Sequence, residues 1–145
     1  MELDDQWFSE DGEHEGRPSL IRVRSHLTHL VGLKTHPHLL CFSWEYDENT
    51  KDGMPDSEQS SDMAMFEQTI FQALESDHLC IFYCVYLYDG MQAWYAYSAD
   101  VDKSVDMMNE ALSSHPAYPV EITVDKDSLW EDYKDVLDGT AYVQE

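Results

Sequence analysis

A chain of 145 residues with 43% hydrophobic and 12% aromatic content is long enough to bury one core and too short for two, so a single α+β domain over residues 1–145 is expected. Its 30 acidic against 8 basic side chains give a formal charge of -22, a field that excludes nucleic acid, phosphate-rich ligands and anionic membranes as partners and favours a basic protein. No run of about 18 apolar residues could span a bilayer, and the acidic opening Met1-Glu2-Leu3-Asp4-Asp5 is unlike a secretory signal, so a cytoplasmic location is expected.

In chain order, Asp5 to Ser9 holds Trp7 and Phe8 and predicts a first strand, followed by a polar turn from Glu10 to Gly16. Arg17 to Leu27 alternates, with Leu20, Arg22 and Arg24 on one parity and Ile21, Val23 and Ser25 on the other, as in a strand with one wet face. His26 to His38 lacks a period and contains Gly32 and Pro37, which predicts a connecting loop. Leu39 to Tyr46 is a third strand, and the Asp-, Asn- and Ser-rich stretch from Asp47 to Ser61 a loop that ends in helix-capping residues. From Asp62 to Ser76 the residues Met63, Phe66, Ile70, Ala73 and Leu74 form one helical stripe.

Leu79 to Ser98 is the centre of the chain. Two apolar runs flank Asp89-Gly90, the pairing that favours a two-residue hairpin turn with positive φ. The first run is apolar on both parities: Leu79, Ile81, Tyr83, Val85 and Leu87 on one, Cys80, Phe82, Cys84, Tyr86 and Tyr88 on the other. Such a strand belongs in the middle of a covered sheet. A second helix, capped by Ser98 or Asp100, carries Val101, Val105, Met108 and Leu112 on one side and ends at His115-Pro116. Tyr118 to Val124 is a last strand, and Asp127 to Leu137 a closing helix with Trp130, Tyr133 and Leu137 in one stripe. From Leu39 onward the order is strand, helix, strand, strand, helix, strand. That order predicts a ferredoxin-like (split βαβ) antiparallel sheet with two helices, an extra N-terminal β-hairpin and a short C-terminal helix.

Several short marks carry a family resemblance: Gly16-Arg17-Pro18, Gly53-Met54-Pro55, Asp89-Gly90 followed by Trp94-Tyr95-Ala96-Tyr97, His115-Pro116-Ala117-Tyr118, and Asp127 with Trp130 and Tyr133. Over roughly residues 5 to 137 the chain resembles a bacterial domain family of unknown function, numbered 695, which occurs alone or fused to a domain of the type-B regulator of ribonuclease E. The resemblance implies a small α+β module without established catalytic residues and, by analogy with the fusion, an inhibitory partner role.

The chemistry visible in the residues is sparse. His26, His29, His36 and His38 fall within thirteen residues, but their spacing fits no closed metal site. Asp47 to Asp56 lacks the twelve-residue pattern of a calcium loop. Cys41, Cys80 and Cys84 lie in apolar runs as buried reduced thiols. Cys80 and Cys84, four residues apart on a strand, are about 13 Å apart, too far to bridge. There is no phosphate-binding glycine loop, no Gly-x-Ser-x-Gly elbow and no His-Glu-x-x-His, and no cofactor or enzyme activity is expected. What remains is acid interleaved with aromatics. Glu67, Asp102 and Asp106 on the two long helices, with Trp130, Glu131, Asp132, Tyr133 and Asp135 on the closing helix, are the candidate partner-binding residues. They fit a module that docks on and inhibits or regulates a basic partner, most naturally a nuclease, as an immunity protein or ribonuclease regulator. The alternative is a small-ligand or metal-binding module using the histidine-rich loop and an open sheet face around Trp94 and Tyr97.

Overall fold

A computed structural model describes residues 5–14, 16–46, 55–88 and 90–140, with backbone alone for His14 and Arg17. Residues 47–54 of the Asp-rich loop and Asp89 of the Asp-Gly pair lie outside the described residues. The described elements are β1 (Trp7–His14), β2 (Arg17–Arg24), β3 (His38–Glu45), α1 (Ser57–Leu74), β4 (Cys80–Tyr88), β5 (Met91–Ser98), α2 (Val101–Ala111), β6 (Val120–Lys126) and α3 (Glu131–Asp138). The strands form one antiparallel sheet in the order β1-β2-β4-β5-β3-β6. β4 and β5 are thus interior strands, paired from Cys80–Ser98 to Tyr88–Met91 across a two-residue connection in which Gly90 has φ +87°. Only a residue without a Cβ adopts that φ without strain.

The sheet is covered on both faces. On one, α1 and α2 pack Met63, Phe66, Ile70, Leu74 and Met108 onto Phe42, Trp44, Phe82, Val85 and Trp94. On the other, α3 and the loop after β2 pack Trp130, Tyr133, Leu137, Leu27 and Leu30 onto Val23, Ile81, Tyr83, Cys84 and Tyr97. No described helix is long and apolar enough to cross a membrane.

The boundaries differ from the expected ones in instructive ways. β1 runs through Glu10–His14, the segment expected to be a turn, and pairs with β2 along its whole length from Trp7–Arg24 to His14–Arg17. The charged residues there suit an edge strand, where carboxylates discourage further pairing. α1 begins five residues before the expected Asp62. Asp56 caps it: its carboxylate accepts from Gln59 N–H at 2.8 Å while the Gln59 side chain accepts from Asp56 N–H, a reciprocal capping box. β6 is displaced toward the C-terminus, to Val120–Lys126, and α3 starts only at Glu131 because Trp130 adopts a left-handed backbone, φ +58° and ψ +38°.

The strict alternation expected of β4 is broken. Phe82 pairs with Ala96 and Cys84 with Tyr95, leaving Tyr83 as an extra residue in a β-bulge. Tyr83 and Cys84 therefore both belong to the α3 side, and from Val85 onward the parity is reversed. A strand apolar on both faces carries no period from which such a slip could be read.

Candidate functional site

The closing helix is held by aromatics that point inward. Trp130 stacks on Tyr97 with ring centroids 4.2 Å apart and planes at 6°, and its indole N–H donates to the His36 carbonyl at 3.0 Å. The Tyr133 hydroxyl donates to the Arg24 carbonyl at 2.7 Å and accepts from Leu27 N–H at 3.3 Å. Asp127 replaces the missing cap. Its carboxylate accepts from the N–H groups of Glu131 and Asp132, both at 2.9 Å, and from the Tyr97 hydroxyl at 2.7 Å. Burial acts to raise the Asp127 pKa, but these three hydrogen bonds and the charge of Lys134 outweigh it and hold the carboxyl below its ordinary value.

With Trp130, Tyr133 and Leu137 turned in, the acids of α3 face outward or along the sheet. Between α3 and the β1–β2 hairpin they border a groove of about 430 Å³. Glu10 and Glu13 of β1 stand on one side, and Asp132 and Asp135 on the other, with Ile21, Cys84, Tyr86 and Tyr95 also lining it. Among the described residues, no lysine or arginine lines this groove. Asp132 accepts a short hydrogen bond from the buried Tyr83 hydroxyl, so its position is fixed from below.

Two ionisable groups of the groove, the Cys84 thiol and the Tyr95 phenol, are held in their neutral forms. Burial, and then the charge of Asp132, push the Cys84 thiol far above its ordinary pKa, and burial does the same to the Tyr95 phenol. Both stay protonated at neutral pH. What the arrangement offers is a concave surface bearing carboxylates beside two tyrosine rings, suited to receiving cationic or hydrogen-bond-donating groups.

The expected partner-binding residues do not form one surface. Asp132 and Asp135 line the groove and Glu131 is exposed on the same helix, but Trp130 and Tyr133 are 0% exposed and belong to the core. Asp102 and Asp106 are exposed on α2, across the sheet. Glu67 is on α1, engaged by both terminal guanidinium nitrogens of Arg22 and by the Trp94 indole at 2.9 Å. The sheet face around Trp94 and Tyr97, expected to be open, is closed by Phe66 over one and Trp130 over the other. Sequence reasoning missed Glu10 and Glu13, whose segment was expected to turn. It also missed the glutamates of α1 and its C-terminal cap as partners of Arg22 and Arg24: Arg24 meets Glu75 as Arg22 meets Glu67.

The histidines are dispersed. His36 is buried, with one ring nitrogen on Thr35 Oγ1 at 2.8 Å and the other on the His78 carbonyl at 2.6 Å. His26 contacts Ser25 Oγ at 2.8 Å, and His29 is exposed. Among the described residues no three His, Cys, Asp or Glu side chains are grouped so as to hold a metal.

Residues 5–138 match a family of unknown function, DUF695. No curated protein and no solved structure matches the chain.

Proposed function

The chain belongs to the DUF695 family, and we propose that it is a non-enzymatic acidic module whose α3 groove docks on a basic protein and blocks or tunes it. The observation that carries this reading is the sorting of charge. Arg22 and Arg24 of β2 pair with Glu67 of α1 and with Glu75 at its C-terminal cap, on one face of the sheet, while Glu10, Glu13, Asp132 and Asp135 line the groove. A protein built to hold nucleic acid presents the complementary surface, so a nuclease is the target class this fits best, as in an immunity protein or a regulator of a ribonuclease. The bacterial setting and the ribonuclease E association implied by the resemblance point to the same class.

The finer reading of the fold is that β3 to β6 with α1 and α2 form a ferredoxin-like unit. The element order, and the placement of β5 and β6 on either side of β3, support it. A cytoplasmic location is proposed from the same standpoint, supported by three free cysteines, two of them buried.

The test is a comparative capture from lysate. Wild-type chain, a groove variant E13K/D135K and an α2 variant D102K/D106K are immobilised, and retained proteins are quantified by mass spectrometry at low and high salt. The expected result is a dominant basic, nucleic-acid-binding protein on wild type and the α2 variant, lost from the groove variant and weakened by salt. Equal retention on all three chains would remove the groove from the account.

A further inference from the structure

The two edges of the sheet are built differently. β1 exposes Asp11, Gly12 and Glu13 and carries the half-buried Glu10 before them, so that beyond Phe8 it gives an incoming strand nothing apolar to cover. β6, at the opposite edge, alternates from Val120 to Asp125 and ends in the exposed Lys126. Val120, Ile122 and Val124 lie on the α1–α2 side, and Glu121, Thr123 and Asp125 on the other. Val120 and Ile122 pack against the core, whereas Val124 is 48% exposed, and the next large apolar residue along the chain, Leu129, is 62% exposed. Glu121 and Asp125 are both exposed. Among the described residues nothing pairs with the outer side of this strand.

We propose that β6 accepts an extended segment of a partner in which basic and apolar residues alternate, added to the sheet as a seventh strand. This rests on the reading of the chain as a receptor for a basic protein, and gives that partner a second chemistry to satisfy. Main-chain hydrogen bonds to the open edge supply affinity without sequence preference, and the alternate side chains supply selectivity. Apolar residues of the added strand extend the layer of Val120, Ile122 and Val124, and basic residues come opposite Glu121 and Asp125, where opposite-charge cross-strand pairs are favourable.

Charge decides between this occupant and a second copy of the chain. Pairing two copies brings together formal charges of -22, and a self-pairing centred on Thr123 sets Glu121 opposite Asp125 of the second copy. Like charges directly opposite are destabilising.

The experiment uses the full chain and a labelled octapeptide of alternating Lys and Val, N-methylated on every second amide so that one edge alone can pair. Binding is read by fluorescence anisotropy and by hydrogen-exchange protection of the β6 amides. The Lys peptide is expected to bind about tenfold more tightly than its Glu counterpart, to protect β6, and to lose binding when every amide is methylated. E121K/D125K, whose changes are exposed, should reverse the preference between the two peptides, while the groove variant E13K/D135K should leave it unchanged. Equal binding of the Lys and Glu peptides, absence of binding, or loss of selectivity in E13K/D135K would overturn the proposal. So would a dimer in sedimentation velocity that Val124→Lys dissolves, since it would assign the edge to a second copy. The proposed groove fails separately, when E13K/D135K has no effect on capture of the natural partner.

Discussion

Arg24 and Glu75, 51 residues apart, meet at 2.6 Å beside the backbone of Phe82, and between them they satisfy both of its polar groups. The guanidinium donates to the Phe82 carbonyl at 3.1 Å, and the carboxylate accepts from the Phe82 N–H at 3.0 Å. The reason lies in the bulge: β2 follows β4 only as far as Val23–Cys84, so the backbone ahead of Tyr83 loses its strand neighbour and the ion pair takes its place. Arg24 is 3% exposed and also lies over the Trp7 ring, 5.5 Å from its centroid.

Removing Arg24 should strand the partly buried Glu75 carboxylate as well as the Phe82 carbonyl. Arg24→Ala is expected to lower unfolding stability by about 3 kcal/mol in urea titrations. The double replacement R24M/E75M should recover little of it, because Phe82 stays without its two partners. Full recovery would show that the pair acts only through its charges.

Trp130 illustrates what the sequence shows and what it hides. The stripe Trp130, Tyr133, Leu137 was legible at helical spacing, but a stripe reads the same whether it faces the core or a partner. Here its 0% exposed members stack on Tyr97 and bond to main-chain groups. Trp130→Ala should therefore cost about 3–5 kcal/mol of stability, measured by denaturant unfolding. A loss of partner binding with unchanged stability would place Trp130 at the surface.

The order of the elements, the central hairpin and both long helices were likewise legible, because hydrophobic period and turn chemistry agree there. The β4 bulge was not, since apolar residues on both parities conceal a one-residue shift. Nor was β1 beyond Ser9: Glu10 to Glu13 have poor strand propensity, and tertiary pairing with β2 overrides it. The start of α1 was concealed within a polar run, although Asp56 and Gln59 at capping-box spacing were the available signal. For the groove, half the carboxylates were found on α3, and the other half were missed with β1.

Asp127 ties α3 to acid stability. Its folded pKa is depressed, so its contribution is present above the ordinary carboxylate value of about 3.9 and is lost as pH falls through the folded pKa. Asp127→Ala should cost about 1 kcal/mol at pH 7, the usual loss for a helix cap. The gap between variant and wild type should narrow toward pH 3. Urea midpoints at the two pH values check it, and a constant gap would contradict the assignment.

The alkaline limb has the opposite sign. Burial first, with Asp132 adding to it for Tyr83 and Asp127 for Tyr97, pushes Tyr83, Tyr95 and Tyr97 well above the ordinary phenol pKa. Groups with raised folded pKa contribute stability that is complete below the unfolded value near 10 and is lost as pH rises above it. Of the nine tyrosines, these three should stay un-ionised in an absorbance titration until the protein unfolds. Ionisation of all nine in a still-folded chain would show that the α3 side is open to solvent.

The most direct measurement of the account is the association rate of the captured basic partner with wild type, E13K/D135K and D102K/D106K across a range of salt. The groove reading predicts a rate that falls steeply with salt for wild type and for the α2 variant, and a rate about tenfold lower with a flatter salt dependence for E13K/D135K. Identical rates and slopes for all three chains would contradict it.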